Sequence, residues 1–354
     1  MSMTAHSQRG VALLTILLLV VSITVVAGAM LASQKIAIRR SGLLFEQNQL
    51  LQDIDAGQQM AVTLIRADDT LNDTDSEQDI WAQPMPPYLL GGHSISIELR
   101  DEASRFNINN LYQNGEVNTV ALALFERLLT QLGLESDIAI AVLDYQDLDT
   151  EVYLDGGDES LVYDQQRSGS SSGTLPNQPF VSVDQLQDLG AVSDEALATL
   201  RPCITAIPYS VTINVNTASP VLLAALIDGT QSTEMQALVE MRTEQVLTDI
   251  SDLWQLPPLN AVSNEDRSAL ESLLAVDSQA FKALITATDS MEVGQARQRF
   301  ATVLISKTDA DVNGADSSDG SDNGDSTDDS SGSDNQAKNI KVVHQRLWVF
   351  RPSF

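Results

Sequence analysis

Residues 8–21 read QRGVALLTILLLVV, and from position 11 to position 33 the chain carries no charged side chain. Coiled as a helix, those 23 residues reach about 34 Å, enough to cross a hydrocarbon core of about 30 Å. Arg9 precedes the run, and Lys35, Arg39 and Arg40 follow it. No proline or glycine pair separates it from the polar stretch beyond. There Leu43, Leu50, Ile54, Gly57, Ala61 and Leu64 recur at spacings near three and four, the stripe of an amphipathic helix. One long helix over residues 11–67 is the economical reading: lipid-facing over 11–33, then amphipathic. Leu43, Leu50, Ile54, Ala61 and Leu64 are its expected packing positions against helices of partner subunits.

Two readings of this N-terminus compete. An ordinary secretory signal would use Arg9 as its charged region and Ala27-Gly28-Ala29 as a small-residue cleavage site, leaving a product that starts at Met30. A short basic leader that ends in Gly10, directly before the apolar run, instead resembles a type IV prepilin leader cut after Gly10. The unbroken continuation into an amphipathic helix favours the second. The charge count opposes it, because three basic residues after the span against one before would hold the following chain in the cytoplasm. Prepilins insert with their bulk outside, and the resemblance implies the same here.

Composition narrows the partners. Twenty basic residues stand against 49 acidic ones, a formal charge of −29 that repels phosphate backbones and anionic membrane surfaces. Divalent cations are the more natural ionic partners. Cys203 is the only cysteine, which rules out an intramolecular disulfide and a thiolate metal cluster, and it reads as a small buried side chain.

Beyond the helix, residues 68–83 are polar and acidic, and Pro84, Pro86 and Pro87 end regular structure, which makes this stretch a linker. Residues 93–100, HSISIELR, alternate as a half-buried strand does. Comparable segments return only at 281–288, 297–307 and 340–351. A small sheet is therefore interrupted by a long insert, residues 104–276, with helical stretches at 120–132, 136–144, 194–200, 220–227 and 234–242 and a possible join of two sub-domains near Ile207 and Pro208. Residues 101–280 hold six arginines, no lysine and 28 acidic residues. Residues 309–334 are Asp, Ser, Gly and Asn with almost nothing apolar, too polar to order themselves, and read as a disordered acidic loop over 309–338 between a strand in 277–308 and the last strand in 339–354.

The densest chemistry lies at DYQDLDTE, residues 144–151, and the following YLDGGDE, where seven carboxylates fall within sixteen residues around a Gly-Gly turn. Hard oxygen ligands at that density suit calcium, which takes six to eight of them. An EF-hand is excluded, since counting from Asp147 the sixth and twelfth positions hold Val152 and Asp158 where glycine and glutamate are required. Like charges so close also raise one another's pKa unless a cation intervenes. INVNTA, residues 213–218, occurs in helix-hairpin-helix DNA-binding domains, but Asp228, Glu234, Glu240 and Glu244 crowd the region where phosphate contacts require basic residues. A helix-packing motif of SAM-like type is the better reading. Residues 169–173, GSSSG, satisfy a hydrolase pattern formally, without the strand before or the helix after that a nucleophile elbow needs. Only His6, His93 and His344 are available as histidine bases, so enzymatic chemistry has little material.

Taken in order, QRGVALLTILLLVV, FNINNL at 106–111, DYQDLDTE and GGDE, VSVDQL at 181–186, and INVNTA resemble general secretion pathway protein K, collinearly over residues 8–307. The resemblance implies an α+β fold: a pilin-like long N-terminal helix plus a small antiparallel sheet, with a large, mainly α-helical domain inserted between strands. It also implies cleavage after Gly10 by prepilin peptidase, N-methylation of Val11, and a single-pass place in the bacterial inner membrane with the globular part in the periplasm. Minor pseudopilins I and J and other pseudopilins are the implied partners, at the tip of a pseudopilus that supports export of folded proteins. Calcium in the helical domain carries over onto Asp147, Asp149, Glu151, Asp158 and Glu159. Most pilins have glutamate at the fifth mature position, where this chain has Thr15, and an unpaired carboxylate in lipid is costly, so its absence suits a subunit at the tip. A minor pilin of a type IV pilus and a membrane-tethered DNA-binding protein are the alternatives.

Overall fold

The structure, a computed structural model, describes residues 7–159, 175–289, 297–308 and 338–354. The start of the leader, the GSSSG stretch and the acidic stretch at 309–334 lie outside the described residues.

Helix α1 runs unbroken over Ser7–Asp69. It is the one helix among the described residues long and apolar enough to cross a membrane, with a window of mean hydropathy 2.8 that has no part buried. Every position from Val11 to Phe45 is exposed. Hydroxyls in this half fold back onto the helix itself. Thr15 donates to the carbonyl of Ala12, Ser22 to Leu18, Thr24 to Val20 and Ser33 to Met30, so the hydroxyls of the uncharged run are satisfied within the helix.

Five antiparallel strands form the sheet under the other half, in the order β1 (Tyr88–Leu90), β2 (His93–Asp101), β3 (Ala280–Asp289), β4 (Arg297–Thr308) and β5 (Asn339–Trp348). Alternation decides which side chains face α1. Ile95 and Ile97 of β2, Phe281, Ala283, Ile285 and Ala287 of β3, and Ala301, Val303 and Ile305 of β4 pack into one core with Leu50, Ile54, Ala61 and Ile65 of the helix. The stripe read as a partner-packing face is thus, at Leu50, Ile54 and Ala61, the seat of the chain's own sheet: they are 3%, 0% and 0% exposed. Leu64 is half-buried, and Leu43 alone of the five is open, at 48%. An apolar stripe specifies that something covers it, without specifying what.

Gly57 sits in the middle of that contact. A Cβ there would lie 2.6 Å from Cγ2 of Ile285 and 3.0 Å from Cγ2 of Ile95, so its lack of a side chain sets how closely helix and sheet approach. His93 fixes the crossing from the side, its Nδ1 2.6 Å from Oδ2 of Asp53 and its Nε2 4.0 Å from Oδ1 of Asp289.

The insert leaves after Asp101 and returns at Ala280, and its core is one cluster reaching from Phe106 to Leu274. Its helices among the described residues are α2 (Thr119–Gln131), the longest, α3 (Asp137–Asp144), α4 (Asp194–Leu200), α5 (Pro220–Ala224), α6 (Gln236–Glu244), α7 (Ile250–Leu253) and α8 (Asn264–Glu271). Two-residue strands also occur, with Phe106–Asn107 parallel to Ile204–Thr205, Ile213–Asn214 parallel to Leu274–Ala275, and Tyr112–Gln113 turning through Asn114 and Gly115 onto Glu116–Val117. Such pieces are too short to show alternation.

The insert is tied to the sheet by buried polar groups. Asp75 accepts from the backbone N–H of Ser278 at 2.7 Å and pairs with the Lys307 ammonium, which lies 3.6 Å from Asp69 and is 2% exposed. Asp101 accepts from Thr217 and from the backbone N–H of Ala103 at 2.7 Å.

Substituting Gly57→Leu gains about 1 kcal/mol of helix propensity but inserts a side chain where no space exists, at a cost of about 3 kcal/mol. Denaturant unfolding of the detergent-solubilised chain should show the net loss. Unchanged stability would mean that helix and sheet are not in close contact.

Candidate metal centre

Helix α3 ends at Asp144, and the chain then coils once more, the N–H of Asp147 donating to the carbonyl of Leu143 at 3.1 Å. This places Asp144 and Asp147 on one side of the turn. The chain next folds back on itself. Glu151 bridges Asp158 in antiparallel fashion, Val152 donates to the carbonyl of Gly157 at 3.0 Å, and Glu159 donates to that of Thr150 at 3.2 Å. Gly156 and Gly157 have φ of 64° and 109°, which glycine adopts without strain and explains the Gly-Gly pair. The reversal brings Glu159 against Asp147.

Asp144, Asp147 and Glu159 thereby converge, each offering one carboxylate oxygen within 4.8 Å of the others, and all three are buried. Asp144 also accepts from the backbone N–H of Tyr153 at 3.1 Å. Oδ1 of Asp147 and Oε1 of Glu159 are buried with no hydrogen-bond partner among the described residues. Burial pushes the Asp147 carboxyl up to about 7, with the charges of Asp149 and Asp144 adding to it. Glu159 is pushed up to about 8, first by burial and then by Asp147, Asp144, Asp149 and Asp158. Two orphaned carboxylate oxygens beside a third buried carboxylate could hold a hard cation such as calcium.

Of the five ligands expected from sequence, Asp147 and Glu159 enter the cluster. Asp149 is exposed at its rim, its Oδ1 accepting from the N–H of Glu151 at 2.9 Å, while Glu151 and Asp158 are exposed on the hairpin. Asp144 belongs to the cluster and not to the expected ligands, because the sequence shows a run of acids without showing which ones the helix end turns inward.

The remaining motifs prove to be internal staples. Asn107 donates to the carbonyls of Ile207 and Tyr209 and accepts from the N–H of Ile207, and Asn110 donates to Val211 and accepts from it. Asn109 clasps both backbone groups of Phe180. In INVNTA, Asn214 donates to the Asp75 carbonyl and to Ser278, and Asn216 exchanges two bonds with Leu247. These side chains are buried, so they face no nucleic acid. Ser182 and Gln185 of VSVDQL cap the 3-10 turn Val183–Asp188 reciprocally.

A long helix, apolar then amphipathic, seated on a small antiparallel sheet defines the pilin-like class, here enlarged by a helical domain between β2 and β3. The chain belongs to the type II secretion system protein K family. Models of that family, described as "Type II secretion system (T2SS), protein K", match residues 104–209 and 213–277. The chain is 30% identical over 234 residues to type II secretion system protein K of Pseudomonas aeruginosa, covering 63% of this chain and 69% of the relative. It is 28% identical over 314 residues to that of Klebsiella pneumoniae, covering 84% and 93%. Its fold is similar to a chain in the crystal structure of the GspK-GspI-GspJ complex from the enterotoxigenic Escherichia coli type 2 secretion system, with a TM-score of 0.68 and 19% identity over 87% of this chain and 99% of that one.

The folded Asp147 and Glu159 carboxyls hold their protons to about 7 and about 8, as does Asp101, which burial pushes up to about 7. Unfolded carboxyls release theirs near about 4, so between these limits the native state binds more protons than the unfolded one. Stability of the ion-free chain is therefore expected to fall as pH rises from about 5 to about 8, with millimolar calcium reversing most of the loss. Thermal unfolding across that range, with and without calcium, and again in Asp147→Asn, measures both. A calcium response that survives Asp147→Asn would remove this cluster as its source.

Proposed function

We propose that the chain is a minor pseudopilin at the tip of a type II secretion pseudopilus. In this reading α1 is held in the inner membrane as a single span, after prepilin peptidase has cut behind Gly10 and Val11 has been N-methylated, and the head projects into the periplasm. The chain initiates assembly with partners of the I and J type and supports export of folded proteins as a structural part, without catalysis of its own. The observation that carries this is the division of α1. Its N-terminal half is apolar, exposed and lacks an acid at Thr15, while its C-terminal half is already covered by the chain's own sheet. The apolar run and the turns that follow it, through Phe45, are free to pack against other helices. The fold neighbour comes from a complex of three such proteins, which supports the choice of partners.

Calcium belongs to the same proposal, held by Asp144, Asp147 and Glu159 with Asp149 at the rim. When bound, it would neutralise three buried carboxylates and fix the 150–159 hairpin onto the end of α3.

Phe45 is 70% exposed and Leu44 is 57% exposed on α1, just beyond the membrane half. Phe45→Asp is expected to abolish co-purification with the I- and J-type pseudopilins while leaving the head folded, whereas Leu50→Glu should unfold the head by burying an unpaired charge, at about 3 kcal/mol or more. Unchanged co-purification in Phe45→Asp, with both partners present, would contradict assembly through this face.

A further inference from the structure

The face of the sheet turned away from α1 carries a concentration of positive charge that a chain of net charge −29 does not lead one to expect. Register sets it out in rows. Arg100 of β2 stands directly opposite Lys282 of β3, Lys282 opposite Leu304 of β4, and Leu304 opposite His344 of β5. One pleat along, Arg346 of β5 stands opposite Thr302. Arg105 and Arg201 of the insert close the other side, so five of the chain's twenty lysines and arginines line one groove of about 440 Å³.

Like charges directly opposite each other on neighbouring strands are destabilising, and each of the nearby carboxylates lies at ion-pair distance from another cation. Asp184 is held by Arg201 at 2.7 Å, Glu102 lies 3.8 Å from Arg105, and Glu98 is gripped by Arg351 at 2.8 Å. Neither Lys282, Arg100 nor Arg346 has a carboxylate at ion-pair distance among the described residues. Burial, and after it the neighbouring Arg105, lowers the Arg100 pKa, and the charges of Glu102 and Glu98 oppose that shift without reversing it. The guanidinium of Arg346 lies over Trp348 at 4.1 Å and that of Arg100 over Phe354 at 4.6 Å, which holds both in place for an incoming group.

We propose that this groove binds an acidic peptide segment of a partner protein, its carboxylates meeting Arg100, Lys282 and Arg346 and its apolar side chains resting on Val181, Leu304 and Trp348. A peptide is favoured over a polynucleotide because the groove is short, is walled by apolar side chains, and is set in a molecule whose overall charge repels a long polyanion. The groove joins the sheet to the insert, so a bound segment would touch both.

The test uses the full chain in phosphatidylcholine nanodiscs, titrated with a fluorescent capped pentapeptide of aspartate and glutamate around one leucine, with its asparagine and glutamine counterpart, and with a short single-stranded DNA. The acidic peptide should bind roughly tenfold more tightly than the neutral one, weaken as salt rises, and lose roughly tenfold in the double variant Lys282→Gln, Arg346→Gln. Salt dependence and peptide preference are read on the unaltered chain, so they hold even if the double variant fails to fold. Equal affinity for the two peptides, retention by a folded double variant, or tighter binding of DNA would each overturn the proposal. Binding seen only after residues 311–333 are replaced by a short glycine-serine link would also overturn it, by making the chain's own acidic stretch the occupant.

Discussion

The contact between α1 and the sheet governs the rest of the molecule. A single helix of 63 residues serves both as the apolar span and as the cover of the sheet's core. It is rigid enough for that because nothing in its sequence interrupts the hydrogen-bonded ladder. The contact is close because Gly57 leaves room for Ile285 and Ile95. Leu50, Ile54, Ala61 and Ile65 lie to either side of the glycine at helical spacing, and the sheet answers at every second position with Phe281 and otherwise alanine, valine and isoleucine. Tilting the helix would expose that row and separate His93 from Asp53.

The insert depends on this frame without enlarging it. It enters and leaves between two adjacent strands, β2 and β3, so the sheet closes beneath it as an ordinary antiparallel pair. Its connection is polar and buried: Asp75 with Lys307 and Ser278, Asn214 with the Asp75 carbonyl, and Asp101 with Thr217. Polar contacts of this kind are directional, and leaving one partner unmatched costs about 1 to 3 kcal/mol, so they fix one orientation where an apolar seam would allow several. Within the insert, buried asparagines do the same for segments too irregular to pair as strands.

Much of this was legible from sequence. The four longer strands announce themselves by alternation, and α1 by an apolar run passing without a break into a stripe. FNINNL and INVNTA could be recognised as family signatures, yet their role could not be read, because their asparagines bond groups far along the chain, about a hundred residues away for Asn107 and Asn110. The stripe of Leu50, Ile54 and Ala61 was legible as a buried face and assigned to partners, when the sheet formed by later segments takes it. Asp144 was one acid among seven, and the additional turn after α3 that swings Asp147 beside it has no signature in composition. Registry of Arg100, Lys282 and His344 likewise exists only once β2 has paired with β3, about 180 residues later, and β3 and β4 with the strands that follow them.

Under the proposed function, an exposed apolar half-helix, an acid-free fifth mature position and a covered amphipathic half suit a protein that stands in a membrane and assembles through its exposed half. The direct measurement is the intact mass and N-terminal peptide of the mature protein, isolated from cells that contain prepilin peptidase. A product beginning at methylated Val11 is expected. A product beginning at Met30 would mean an ordinary signal sequence, no anchor, and no place for this chain in a pseudopilus.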